Sequence, residues 1–141
     1  MVDILHRVGI AAPPEKVFAA LTTIEGIQAW WSSEAQGSAT ENTSFKFRQN
    51  QLEVVEAKPN LVRWHYTGPA TEWVGTEIEF RLEWRDIQTF VLFRHKSWPE
   101  PSEFMHHCST KWATFLLSLK DHVEHGHGRP EPNDTKIAAD A

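Results

Sequence analysis

The chain has 141 residues and a formal net charge of −5, with 40% hydrophobic and 23% charged residues. This composition is typical of one globular domain with its own apolar core, and it excludes a wholly disordered or fibrous chain. The acidic balance disfavours nucleic acid as a partner, because neutralising phosphates requires a basic surface. Seven Trp and eight Phe against one Tyr indicate either a very aromatic core or the lining of a pocket.

A single cysteine, Cys108, excludes an internal disulfide and any cysteine-cluster metal site. The absence of disulfides favours a cytoplasmic location. The sequence has no run of about 18 apolar residues, so we expect no membrane span. The first residues also lack the apolar region of a secretory signal.

The first third of the chain predicts one strand followed by two short helices. Residues 2–10 alternate as a strand does. Pro13 and Pro14 then favour the first turn of a helix, and a second short helix is expected from about residue 24 to 31. The polar stretch 32–44 predicts a loop with room for a weak edge strand.

Strands and a long helix follow. The predicted strands are Phe45–Arg48, Leu52–Ala57, Leu61–Tyr66, Glu77–Arg85 and Thr89–Lys96. From Ser102 to His125, apolar residues recur at steps of three and four, which indicates a helix that Gly126 ends. This helix alone is long enough to cover the apolar face of the sheet. We therefore predict an α+β fold in which a curved antiparallel sheet of six or seven strands wraps around the C-terminal helix, with a ligand cavity between them.

Residues 129–141 are poor in apolar side chains, and we expect a loosely ordered tail after a domain spanning residues 1–128.

Several motifs are informative in their order and spacing. They are Ile10 to Leu21 (IAAPPEKVFAAL), Trp30-Trp31, Glu56-Ala57-Lys58-Pro59, Val62-Arg63-Trp64, Gly75-Thr76-Glu77-Ile78, His95, Lys111-Trp112 and Leu116-Leu117-Ser118-Leu119-Lys120. This pattern resembles the START-like superfamily, also called SRPBCC, with its helix-grip fold. The branch it most resembles is that of the activator of heat-shock-protein-90 ATPase homologue-like proteins. The resemblance covers roughly residues 2–128 and implies a deep hydrophobic cavity. Members of the superfamily bind lipids, polyketides, hormones or aromatic metabolites; some are cyclases and some assist chaperones.

Under this fold, a set of mostly aromatic residues is expected to line the cavity. The set is Trp30, Trp31, Trp64, Tyr66, Phe80, Trp84, Phe93, His95, Trp112 and Phe115. The alternative is that the bulky indoles fill the core and leave no cavity. Trp112 lies midway along the apolar stripe of the helix, so we expect it to be the central packing residue. Trp31 or Trp73 is predicted to gate the cavity mouth, the alternative being that each anchors its own loop.

Other polar residues suggest structural roles rather than chemistry. His95 could act as a general acid or base, but no matched base, nucleophile and orienting group accompanies it. Cys108 lies on the apolar stripe of the helix, where a buried thiol is the usual finding. The motif formed by His122, His125 and His127 is better explained as a solvated helix end than as a metal site. We therefore predict no catalytic residue, no metal and no cofactor.

The leading hypothesis is that the protein binds a small hydrophobic or aromatic ligand, such as a lipid or a polyketide. A cyclase or hydrolase acting on an aromatic or polyketide substrate is the enzyme alternative, and it needs His95 or Tyr66 to face a void beside a second titratable group. The resemblance adds a third hypothesis, a chaperone-cofactor or stress-response module. Phe90 and Leu92 fall on the outer face of the predicted sheet, where they form either a homodimer or partner surface or a patch covered by a neighbouring segment.

Overall fold

The computed structural model describes residues 1–69 and 71–139. Its elements, in chain order, are β1 (Val2–Ile10), α1 (Pro14–Thr22), α2 (Ile24–Trp30), β2 (Gln36–Gly37), β3 (Ser44–Phe47), β4 (Asn50–Lys58), β5 (Leu61–Tyr66), β6 (Glu77–Arg85), β7 (Gln88–Trp98) and α3 (Glu103–His125). The seven strands form an antiparallel sheet in the order β1-β7-β6-β5-β4-β3-β2, which curls around α3. The predicted α+β helix-grip fold is confirmed. Among the described residues, no helix combines the length and the apolarity needed to cross a membrane.

Helix α3 begins and ends where its sequence signals predict. The hydroxyl of Ser102 caps the helix by accepting a hydrogen bond from the Met105 N–H at 3.2 Å. At the other end Gly126 adopts the left-handed conformation with φ of 74°, which a glycine reaches without steric cost. The apolar stripe between these caps packs on the sheet, with the ring centroids of Trp112 and Phe93 4.6 Å apart.

The junction between α1 and α2 places two tryptophans over the sheet. The hydroxyl of Thr23 caps α2 by accepting from the Gly26 N–H at 3.0 Å. A Cβ atom on Gly26 would stand 2.5 Å from the carbonyl oxygen of Ala20, so only glycine permits this close approach. The same carbonyl accepts the indole N–H of Trp30 at 2.9 Å. This packing fixes the end of α2, and with it Trp30 and the residue that follows, Trp31.

After Gly126 the chain turns back along α3. The Arg129 N–H donates to the Ser118 hydroxyl at 2.6 Å, and the Glu131 N–H donates to the Trp31 carbonyl at 2.8 Å. Further along, Asp134 is 7% exposed and pairs with the ammonium group of Lys111. Loose order was expected for residues 129–141, whereas residues 129–139 include these specific contacts. Residues 140 and 141 lie outside the described part, and the division of the chain at residue 128 stays a prediction.

The outer face of the sheet carries the apolar pair expected from the sequence. Phe90 and Leu92 are half-buried there. The guanidinium groups of Arg7 and Arg85 lie 4.7 Å and 5.0 Å from the Phe90 ring centroid. The cover over Phe90 thus includes arginines of neighbouring strands in a cation–π arrangement.

Candidate ligand-binding site

A cavity of about 250 Å³ lies at one end of α3, where the helix meets the turn between β3 and β4, the loop between β5 and β6, and the C-terminal segment. Its apolar wall is made of aromatic rings, contributed by Trp31, Phe47, Trp73, Phe104, Trp112 and Phe115. Its remaining lining carries polar atoms, contributed by Gln49, Asn50, Thr71, His107, Cys108, Lys111 and Glu131. A mostly apolar concavity with a few polar groups is the usual form of a small-molecule site.

Stacked rings hold the inner wall of the cavity rigid. The Trp31 ring stacks on Trp64 with centroids 5.4 Å apart and planes 7° apart, and it stacks on Trp30 at 5.7 Å. Phe47 meets Trp31 edge-on at 4.7 Å, and Trp112 lies 5.0 Å away on the helix side. Offset and edge-to-face pairs such as these are the favoured aromatic geometries. The wall is therefore shaped before any ligand arrives.

The structure divides the ten predicted lining residues into three groups. Trp31, Trp112 and Phe115 line the cavity. Six others are buried in the core at 3% exposure or less: Trp30, Trp64, Tyr66, Phe80, Phe93 and His95. The indoles therefore fill most of the interior between the sheet and α3, and the cavity that remains lies at one end of α3 rather than deep between the two.

The third group is Trp84, which is 52% exposed and does not line the cavity. Its place in the alternation of β6 was read correctly, but the prediction that it faces the cavity was wrong. Strand β5 pairs with β6 only over residues 77–81. The Leu82 N–H still donates to the Asn60 carbonyl at 2.9 Å, and residues 83–85 then pair with β7 alone. Trp84 therefore lies beyond the part of β6 that is flanked by β5, and its side chain is not covered.

His95 is completely buried and hydrogen-bonded through both ring nitrogens. The Trp112 indole N–H donates to its Nδ1 at 3.0 Å, so the proton of the neutral ring is assigned to Nε2. Nε2 then donates to the Thr76 hydroxyl at 2.9 Å, and that hydroxyl donates to the Trp73 carbonyl at 2.6 Å. Burial lowers the pKa of His95 to about 3. The histidine is therefore a neutral structural link between α3, β7 and the loop that carries Trp73.

The geometry required by the enzyme hypothesis is not present at His95 or Tyr66. The Tyr66 hydroxyl donates to the backbone carbonyl of Pro69 at 3.0 Å, and neither side chain lines the cavity. Among the described residues, no three His, Cys, Asp or Glu side chains come together as a metal site.

Cys108 does line the cavity, as a thiol. It is 6% exposed, and the indole N–H of Trp73 donates to its Sγ at 3.5 Å. Burial raises the pKa of the Cys108 thiol to about 11. Because the nucleophile is the thiolate, this cysteine is a poor one at neutral pH.

The charged groups around the cavity are paired with one another. The Lys111 ammonium binds the Asp134 carboxylate and the Thr135 carbonyl, the latter at 3.1 Å, and lies 5.1 Å from the Phe115 ring centroid. Glu131 meets the Arg48 guanidinium at 2.9 Å, while its burial raises the pKa of the carboxyl group. The cavity therefore offers polar atoms with little net charge.

Sequence reasoning missed several lining residues, for two different reasons. On α3, the missed lining residues are Phe104, His107, Cys108 and Lys111. They share helical spacing with Trp112 and Phe115, so the helix periodicity contained a signal that could have found them. The remaining residues come from the end of β3, the turn after it, the start of β4, the loop between β5 and β6, and the segment after Gly126: Phe47, Gln49, Asn50, Thr71, Trp73 and Glu131. Of these only Trp73 was singled out, and the others carry no local signal.

A curled antiparallel sheet closed over one long helix, with an aromatic cavity at the mouth, defines a ligand-binding domain of the helix-grip class. Residues 11–124 match the model of the family described as Activator of Hsp90 ATPase homolog 1-like protein. The chain belongs to that family, which confirms the resemblance found in the sequence. No curated protein matches the chain.

Solved structures agree. The Aha1 dimer from Colwellia psychrerythraea, solved in solution, is 46% identical, with a TM-score of 0.84 over 91% of this chain and 100% of that one. The protein SSP2350 from Staphylococcus saprophyticus is 21% identical, with a TM-score of 0.73 over 92% of this chain and 97% of that one. CalU16 from Micromonospora echinospora is 20% identical, with a TM-score of 0.71 over 96% of this chain and 77% of that one. The last two show the fold alone.

Proposed function

We propose that this protein binds a small, flat, uncharged aromatic molecule of one or two rings. The observation that carries the proposal is the convergence of three indoles, those of Trp31, Trp73 and Trp112, on one cavity. Each buried ring face removes apolar area of the ligand from water, at about 25 cal/mol per Å². Ring-on-ring contact adds roughly 0.5–1.5 kcal/mol for each pair.

Size and charge narrow the class of ligand. An engineered apolar cavity of about 150 Å³ accepts benzene, so 250 Å³ accommodates a somewhat larger ring system. A long-chain lipid is too large for it. Among the described residues that line the cavity, Lys111 is paired with Asp134 and Glu131 with Arg48, so these side chains offer little net charge to attract an ion. Gln49 and Asn50 supply hydrogen-bonding groups suited to a hydroxyl or carbonyl substituent.

Titration calorimetry with 2-naphthol, indole and palmitate tests this proposal. We expect saturable binding of the aromatic compounds and none of palmitate. Trp73→Ala should weaken aromatic binding at least tenfold. Trp84→Ala, which removes an exposed tryptophan outside the cavity, should leave it unchanged. Binding of palmitate alone, or equal effects of the two substitutions, would contradict the proposal.

We further propose that the chain self-associates as a homodimer in the cytoplasm. Support for the dimer comes from the 46%-identical Colwellia relative, which is itself a dimer. The cytoplasmic location rests on the single unpaired cysteine.

A further inference from the structure

Strand β1 forms one edge of the sheet, and the hydrogen-bonding parity of that edge can be derived. Strands β6 and β7 are joined by the two-residue turn 86–87, so Arg85 and Gln88 form the closing hydrogen-bonded pair. Successive residues of a strand inside an antiparallel sheet direct their backbone hydrogen bonds alternately to one neighbouring strand and to the other. The residues of β7 that bond β1 are therefore 89, 91, 93 and 95, opposite residues 10, 8, 6 and 4.

From Ile4 to Ile10, the odd-numbered residues of β1 consequently direct their backbone N–H and C=O groups away from the sheet; between Val2 and Ile4 the register shifts, where β7 has one extra residue. Contacts from α3 agree with this parity. Lys120 Nζ donates to the Gly9 carbonyl at 2.5 Å, and the Ala11 N–H donates to the Glu124 carboxylate at 2.7 Å. Within the described part of the chain, no comparable hydrogen bond covers the outward backbone groups of Leu5 and Arg7. An uncovered edge of this kind is a template for another strand.

The charges of the side chains along this edge are complementary to those of the same edge in a second, antiparallel copy. Leu5 is 64% exposed, and its neighbours among the odd-numbered residues of the strand are Asp3 and Arg7. The N–H of Ser97 and then the Arg94 guanidinium lower the pKa of Asp3, so its carboxylate is ionised at neutral pH. An antiparallel copy centred on Leu5 places Asp3 of each strand opposite Arg7 of the other. Registers centred on Asp3 or Arg7 oppose like charges, which destabilises cross-strand pairs.

A second exposed apolar residue lies near the same edge. Ser109 and Lys120 of α3 contact β1, Ser109 through His6. Leu117 precedes Lys120 by one turn, on a neighbouring part of the helix surface, and is 55% exposed. The edge is thus flanked by Leu5 on the outer face of the sheet and by Leu117 on the helix side.

We propose that β1 pairs with β1 of a second copy of this chain, antiparallel and about a twofold axis at Leu5, so that two sheets become one. Such an interface is isologous, because each contact from Asp3 to Arg7 occurs twice. The inference rests on the self-association proposed above and is independent of the ligand.

Light scattering after size exclusion and sedimentation equilibrium test the pairing. The wild type should have twice the 16.2 kDa mass of the chain. Arg7→Glu places an acidic side chain opposite Asp3 of the other copy and should raise the dimer dissociation constant at least tenfold. Arg81→Glu makes the same charge change on the outer face of β6, away from the edge, and should not. A monomeric wild type would overturn both self-association and this interface. A dimeric wild type in which Arg7→Glu and Arg81→Glu behave alike would overturn the β1 pairing alone.

Cross-linking tests the register directly. Hydrogen-bonded residues opposite each other in antiparallel strands have Cα atoms about 5.5 Å apart, which lies within the range of a disulfide. In a Cys108→Ser background, shown to be folded by circular dichroism, Leu5→Cys should form a covalent dimer under glutathione oxidation. Ile87→Cys, at a position 81% exposed in the turn between β6 and β7, provides the control and should cross-link far less. Equal cross-linking of the two variants would refute the register.

Discussion

At the scale of single residues, His95 shows how a histidine on the inner face of a sheet can be structural. It accepts from Trp112 and donates to Thr76, so both ring nitrogens are occupied. The hydroxyl of Thr76 passes the connection on to the Trp73 carbonyl. Only the neutral ring can accept at Nδ1, and a proton there would break the bond to Trp112.

This network predicts a dependence of stability on pH. The pKa of His95 is about 3 in the folded chain, against 6.5 for an unperturbed histidine. Between these values the unfolded chain binds a proton that the folded chain does not. The contribution of His95 to the free energy of unfolding is therefore complete above pH 6.5. It decreases as the pH drops toward 3, by up to about 1.4 kcal/mol per pH unit.

Urea unfolding from pH 4 to pH 7 measures this slope. His95→Gln should be less stable than the wild type at pH 7 and should lose stability less steeply on acidification. His106→Gln, which removes an exposed histidine of α3, should keep the wild-type slope. An unchanged slope in His95→Gln would show that another group carries the dependence.

Trp73 is the better candidate for the gate. Trp31 is only 3% exposed and held in a ring stack, whereas Trp73 is half-buried and forms the cavity wall from a loop. Trp73→Ala is expected to raise the ligand dissociation rate at least tenfold, because it opens one wall. Stopped-flow fluorescence with 2-naphthol measures the rate, and Trp84→Ala is the control. A variant that unfolds, or a dissociation rate that does not change, would contradict the gate.

At the scale of elements, Trp112 packs α3 against the inner face of the sheet. Its ring is 2% exposed and lies among Trp31, Phe93 and His95. Trp112→Ala should lower the free energy of unfolding by about 3–5 kcal/mol, as expected for large-to-small core substitutions. Denaturant unfolding measures the loss, and a value below about 1 kcal/mol would show that the ring does not hold α3 to the sheet.

At the scale of the whole molecule, the C-terminal segment, residues 127–139, contributes residues to the cavity. Glu131 lines the cavity, and Asp134 neutralises Lys111 beside it. The chain ending at residue 128 is expected to fold, because the sheet and the three helices are complete without the segment. It should be less stable and should bind 2-naphthol more weakly, since Lys111 loses its partner and one wall is removed.

Thermal unfolding and calorimetry of this truncated chain test the expectation. A chain ending at residue 139 is the matched control and should behave as the full chain does. Equal affinity in both truncations would show that the segment does not take part in the site. Failure of the shorter chain to fold would move the domain boundary beyond residue 128.

Most of the fold was predictable because its signals are local. Alternation in β6, the Ser102 cap and the three- and four-residue stripe of α3 each depend on neighbours a few residues away. Trp84 marks the limit of that reasoning. Its parity was correct, but its exposure depends on where the adjacent strand β5 stops pairing, and nothing in β6 itself records that.

The sequence by itself determined the fold class, the helix at the centre of the sheet and the aromatic nature of its interior. Periodicity and end signals are properties of short segments, so they survive without the rest of the chain. The tertiary structure alone decided which rings fill the interior and which line the cavity, how the segment after Gly126 folds back, and that the two nitrogens of His95 are occupied. A cavity is the volume left when all side chains have packed, and that volume depends on contacts between residues far apart in the chain.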